Sequence, residues 1–156
     1  MTRFIPVDHD PFAGEREIQK ITFTNEPQRE VWLSCVIGGD DANLSYNESV
    51  SLKIQGELNI DAFGRALEEV VRRHEALRAT ISPNGETLII YNDCPVNLDV
   101  ENISGKGEQE KTALLGSFLK REMNTALNLQ KGPLFKVFLH KTGERSYYLT
   151  IIKHHI

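Results

Sequence analysis

The residues best suited to chemistry in this chain stand at its end, where His154 and His155 follow the apolar pair Ile151-Ile152. Successive side chains on a strand face opposite sides, so one imidazole should point into the protein layer and the other outward. A histidine at a strand end can act as a general base near neutral pH. Spacing alone favours the plainer reading of one buried and one solvated ring without a catalytic task. The pair lacks the further ligands a metal site needs, so no metal is expected. Arg73-His74-Glu75-Ala76-Leu77-Arg78 is the second candidate. Two arginines in a last helical turn complement the helix dipole, and this suffices for one of them. A buried arginine fixing a distant carboxylate is the sharper alternative. Gln28 and Trp32 form the third candidate, although a lone tryptophan at helical spacing is more often core than binding surface. Gly38-Gly39-Asp40-Asp41 follows a helical pattern instead of opening one, so it is not a dinucleotide loop. No GxSxG elbow is present.

These side chains need a framework, and the pattern supplies one. Ile18 to Phe23 reads as a short strand. A helix should run from Asn25 or Glu26 to Ile37, with Pro27 in its first turn, Val31, Trp32, Cys35 and Val36 on one face, and Gly38-Gly39 ending it. Asn47 to Gln55 alternates as a half-buried strand, with Val50, Leu52 and Ile54 on one side. Asn59 can cap a long helix whose stripe is Phe63, Ala66, Leu67, Val70, Val71, His74 and Leu77. Thr80-Ile81 and Thr87 to Tyr91 flank the turn Pro83-Asn84-Gly85 as a hairpin. Asn97 to Glu101 reads as a short strand and Glu108 to Leu127 as a helix with Leu115, Phe118, Leu119 and Met123 along one face. Phe135 to His140 and Tyr147 to His155 are two final strands, with Lys141 to Arg145 as their turn. The order of elements predicts a layered α/β domain with a mostly antiparallel sheet. Residues 1–17 read as an extended leader and 18–156 as the folded unit.

Bulk properties narrow the function classes. At 156 residues, 40% hydrophobic and 26% charged, the chain has the make-up of one ordinary globular domain. A formal net charge of −4 disfavours a nucleic-acid partner. Cys35 and Cys94 share no zinc spacing and suggest no disulfide framework. No apolar run reaches the length of a membrane span, and Met1 to Asp10 lacks a signal-peptide core, so a cytoplasmic location is expected.

Taken in order, the motifs resemble the amino-terminal part of a nonribosomal peptide synthetase condensation domain. The family's first motif, S-x-A-Q-x-R-(L/M)-(W/Y), is matched at Gln28 and Trp32, whereas Asn25, Pro27 and Glu30 depart from it. These departures are close to a variant, T-E-x-Q-x-E-(I/V)-W, associated with bacterial mixed polyketide–peptide assembly lines. The second motif, R-H-E-x-L-R-T-x-F, is met by Arg73 to Arg78, with departures at Ala79 and Ile81. Tyr46-Asn47-Glu48-Ser49 and Leu129 to Phe135, with its Gly132-Pro133-Leu134-Phe135, also resemble family segments. His154, His155 and Ile156 match the start of the third motif, H-H-x-x-x-D-G, whose aspartate and glycine are not among these 156 residues.

The resemblance implies a fold similar to half of chloramphenicol acetyltransferase, in which two α/β subdomains form a V around a tunnel. It implies amide-bond formation between a donor acyl or peptidyl group and an aminoacyl acceptor. Both would arrive as thioesters on phosphopantetheine arms of partner carrier proteins, with no cofactor bound by the chain itself. His155 would sit at the reacting centre as base or orienting group, and His154 would be structural. Arg73 would be the first candidate to pair with the motif aspartate and Arg78 the second. A carboxy-terminal subdomain would be a further partner, and without it a homodimer through exposed surface and the abrupt end of the last strand is expected. Alternatives are a non-catalytic fragment or interaction module, a free-standing His-His acyltransferase, or an epimerisation domain. A heterocyclisation domain is disfavoured, because that subtype replaces His-His by aspartates.

Overall fold

The computed structural model describes residues 16–156. The expected leader therefore lies almost wholly outside the described residues; Arg16 places its guanidinium 3.7 Å from the centre of the Tyr91 ring. The elements are β1 (Ile18–Phe23), α1 (Glu26–Ser45), β2 (Asn47–Gln55), α2 (Ile60–Arg73), a 3-10 turn (Glu75–Arg78), β3 (Ala79–Ile81), β4 (Thr87–Tyr91), β5 (Leu98–Asn102), α3 (Glu108–Met123), β6 (Phe135–Gly143) and β7 (Ser146–His154). They build two sheets where the sequence suggested one. The smaller has the order β1-β4-β3 and the larger β2-β7-β6-β5. All pairs are antiparallel except β5 with β6.

The larger sheet carries the core because its strands alternate on both faces. On one face Phe135, Val137, Leu139, Tyr147 and Leu149 pack with Val71 of α2, joined by Phe63 and Leu67. On the other, Phe138 and Ile152 pack with Phe118, Leu119 and Met123 of α3. The 3.6-residue stripe of α2 thus has a partner, and Asn59 caps the helix by accepting from Ala62 N at 2.9 Å. His74 is not part of that stripe. It is the exposed residue at the C-terminal cap, because the helix closes there with its N–H on Val70 O.

Two helix ends differ from expectation. The double glycine Gly38-Gly39 does not stop α1. Gly39 takes φ 62°, ψ −148°, which kinks the helix before it resumes to Ser45. The second limb is held from outside, since Asn43 Nδ2 donates to Leu127 O at 3.2 Å. Conversely α3 ends at Met123, short of Leu127, where Asn47 Nδ2 donates to both Met123 O and Thr125 O at 3.1 Å. The final strand is not an open edge either. β7 lies between β2 and β6, and the edges of the larger sheet are β2 and β5. Along β2, Val50 and Leu52 remain 53% and 51% exposed, because α2 leaves that end of the sheet face uncovered.

Candidate functional site

β2 and β7 set the site through their register. Asn47 pairs with His154, Glu48 with Lys153, Val50 with Ile151 and Leu52 with Leu149. Opposed residues of an antiparallel pair share a face, so two faces diverge from here. Asn47 and His154 look toward the α3 side. Glu48, Lys153 and the uncovered Val50 and Leu52 look toward the α2 side.

His154 is buried at 5% exposure. Its Nε2 lies 4.0 Å from Cys35 Sγ and its ring centroid 5.8 Å from that of Tyr46. Its backbone N–H donates to Leu134 O at 2.9 Å, which ties the Gly132-Pro133-Leu134 segment to the histidine pair. Burial pushes the imidazole pKa down to about 4, against a favourable contact with the Asn43 backbone, so the ring is neutral at pH 7. Cys35 and Asn43 also line a cleft of about 340 Å³ with Trp32, Asp40, Leu127 and Leu129, and His155 is not among its walls.

His155 points the other way, with its side chain 60% exposed. Its backbone N–H donates to Tyr46 O at 2.9 Å, which carries the β2–β7 pairing one residue past the strand. Its Nδ1 lies 2.6 Å from Glu48 Oε1, and the other oxygen of Glu48 accepts from Lys153 Nζ. The Lys153 hydrogen bond chiefly holds the Glu48 carboxyl below the usual range, with His155 adding to it. In the sequence Glu48 stands out only as a member of the family-like segment Tyr46 to Ser49. Its contact with His155 cannot be read there, because it depends on strands about a hundred residues apart.

The two arginines are placed apart. Arg73 is on the solvent side of α2, its side chain 68% exposed and its Nε 2.5 Å from Glu69 Oε1. The one-turn spacing explains this pairing, which Arg72 shares. Arg78 is the buried arginine, at 5% exposure. Its guanidinium donates to Val71 O, Gln19 Oε1 and Tyr91 O, so it joins the end of α2 to β1 and β4.

Gln28 has a local explanation. Gln28 N donates to Asn25 Oδ1 at 2.9 Å and Asn25 N donates to Gln28 Oε1 at 3.0 Å. This reciprocal capping box starts α1, and the N-x-x-Q spacing could have revealed it. Trp32, one turn later, sets its indole against Gly85 in the β3–β4 turn. No group of three or more His, Cys, Asp or Glu suited to a metal ion occurs among the described residues. No helix among them is long and apolar enough to cross a membrane.

Comparison with known proteins bears on the family and the fold. Chondramide synthase of Chondromyces crocatus is 28% identical over 134 residues, which is 85% of this chain and 3% of that protein. A linear gramicidin synthase of Brevibacillus parabrevis is 31% identical over 134 residues, 83% of this chain and 2% of its own length. The chain therefore spans only a few per cent of these relatives. Among solved structures, the starter condensation domain of the rhizomide synthetase superposes with a TM-score of 0.76 at 22% identity, covering 88% of this chain and 34% of that one. The first condensation domain of the calcium-dependent antibiotic synthetase gives 0.75 at 22% identity, covering 90% and 36%. The fold is that of about a third of a chloramphenicol acetyltransferase-like condensation domain. The family model of the condensation domain matches residues 19–156, and with that match the chain belongs to the condensation domain family.

Proposed function

We propose that the chain supplies the amino-terminal part of a condensation domain that forms amide bonds in nonribosomal peptide or mixed polyketide–peptide assembly. The observation that carries this reading is the opposed placement of the two histidines at the end of the family match. His154 is buried and neutral, while His155 stands exposed beside Glu48 on an uncovered sheet face. The donor acyl or peptidyl group and the acceptor aminoacyl group would arrive as thioesters on the phosphopantetheine arms of two carrier proteins. The acceptor amine attacks the donor carbonyl, the C–S bond breaks and the thiol leaves. The amine proton becomes acidic only as the C–N bond forms. His155 therefore orients the amine first and takes the proton late. His154 holds the strand end in place.

A second reading, an interaction module, is favoured by the exposed Leu33, Val36 and Ile37 on α1. The two separate in an assay with loaded donor and acceptor carrier proteins and the synthetase that contains this chain. His155→Ala should lower amide formation by roughly 100-fold with an unchanged unfolding midpoint. His154→Ala should instead lower the midpoint. Wild-type turnover by His155→Ala would overturn the catalytic reading. An epimerised thioester in place of an amide would move the chain to the epimerisation subtype. The 156-residue chain alone, about a third of the solved domains it matches, should release no amide.

A further inference from the structure

The carboxylate of Glu48 divides its two oxygens between two nitrogen groups of the opposite strand and its end. Oε2 accepts from Lys153 Nζ, and Oε1 lies 2.6 Å from His155 Nδ1. The register that pairs Glu48 with Lys153 puts both on one face, and His155, two residues on from Lys153, returns to it. The Tyr46 carbonyl fixes the backbone of His155 from the same strand connection. A carboxylate can only accept, so Nδ1 must carry the hydrogen. In a neutral imidazole the other nitrogen, Nε2, then has the free lone pair, on the far side of the ring from Glu48. Among the described residues, Glu48 and Lys153 share the ring's face, neutral His154 faces the other way, and the apolar pair Val50 and Ile151 follows on the same face.

From this geometry we infer that Glu48 is a positioning residue that holds His155 as the Nδ1–H tautomer and presents Nε2, as proton acceptor, to the uncovered sheet face. The inference rests on the reading that His155 stands at the reacting centre, and it adds a residue outside the His-His pair to that site. Lys153 has a complementary task. It keeps Glu48 ionised, so the carboxylate orients the ring without competing for the proton. The arrangement parallels the way an orienting carbonyl or carboxylate selects the tautomer of a metal-bound or catalytic histidine.

Nitrogen-detected NMR of the imidazoles in the 156-residue chain tests the hold without any turnover. His155 should show the Nδ1–H form in the wild type. Glu48→Ala should return it to the Nε2–H form that free histidine prefers, and Glu48→Gln, which keeps an acceptor oxygen, should retain Nδ1–H. In the synthetase, Glu48→Ala should lower kcat by about tenfold with KM changed by less than about twofold, and Glu48→Gln should recover most of the loss. A wild-type His155 in the Nε2–H form, or a tautomer indifferent to Glu48→Ala, would overturn the inference. If the tautomer behaves as stated while His155→Ala still forms amide, the catalytic reading fails and the Glu48 hold stands. The unchanged signals of buried His154 report that each variant is folded.

Discussion

Trp32 and Gly85 touch so closely that a Cβ on the glycine would stand 2.3 Å from the indole Cδ2 and Cε3. The contact joins α1 to the β3–β4 turn, and Thr24 secures the turn by donating its hydroxyl to Gly85 O at 2.8 Å. A family-signature tryptophan thus acts by packing.

Gly85→Ala should therefore destabilise the chain by about 2–4 kcal/mol, since φ is +73° there and the indole blocks the added methyl. Trp32→Ala should cost stability through the lost indole packing and, combined with Gly85→Ala, relieve the clash while the strain at φ +73° remains. In a double-mutant cycle by urea unfolding, the two losses should fall short of adding by about 1 kcal/mol or more. Strict additivity would mean that the indole moves aside freely.

Arg78→Ala should cost on the order of 3 kcal/mol, because it leaves the carbonyls of Val71 and Tyr91 buried without their donor. Arg78→Lys should recover little, since one ammonium cannot span those acceptors. Arg73→Ala, at the surface, should stay within about 0.5 kcal/mol. Equal losses at the two positions would contradict the burial difference.

The sequence made the locally determined parts of this fold legible. β2 is found over the span its alternation indicates, and α2 starts where Asn59 can cap it. The double glycine misled, since a kink and a stop look alike until the Asn43 bond to Leu127 is known. The division into two sheets, the central place of β7 and the Glu48–His155 contact all depend on pairings distant in sequence. The opposed faces of His154 and His155 were legible, because strand alternation is local. The arginines were not ranked by spacing, because an exposed i, i+4 pair and a buried carbonyl cluster can both close a helix.

His154 should make stability depend on pH. Its folded-state pKa of about 4 lies below the ordinary 6.5, so the unfolded chain binds the proton more readily. Stability should be complete above about pH 6.5 and fall by about 3 kcal/mol as pH drops toward 4. His140, also held low by burial, adds in the same direction. Urea midpoints across pH 4–7.5 for wild type and His154→Asn isolate the contribution of His154. A wild-type slope no steeper than that of the variant would exclude it.

Self-association should run through β2 and not through the last strand. β2 is an edge carrying the exposed Val50 and Leu52, whereas β7 is paired on both sides. Sedimentation across a concentration series should show dimerisation that Val50→Lys weakens. A monomer at high concentration, or a dimer indifferent to Val50→Lys, would count against this, as would an interface well below roughly 1,000 Å².

The register of β7 makes the histidine pair a matter of parity. From Ser146 to His154 every even residue faces one way and every odd residue the other, with Ile152 and His154 on the α3 side. Substituting any intervening side chain leaves that assignment alone. Adding or removing one residue before His154 would exchange the two rings, sending the desolvated one into water and the hydrated one among Cys35 and Tyr46. The count of residues between Ser146 and the pair is therefore as binding a requirement on the site as the identity of the histidines.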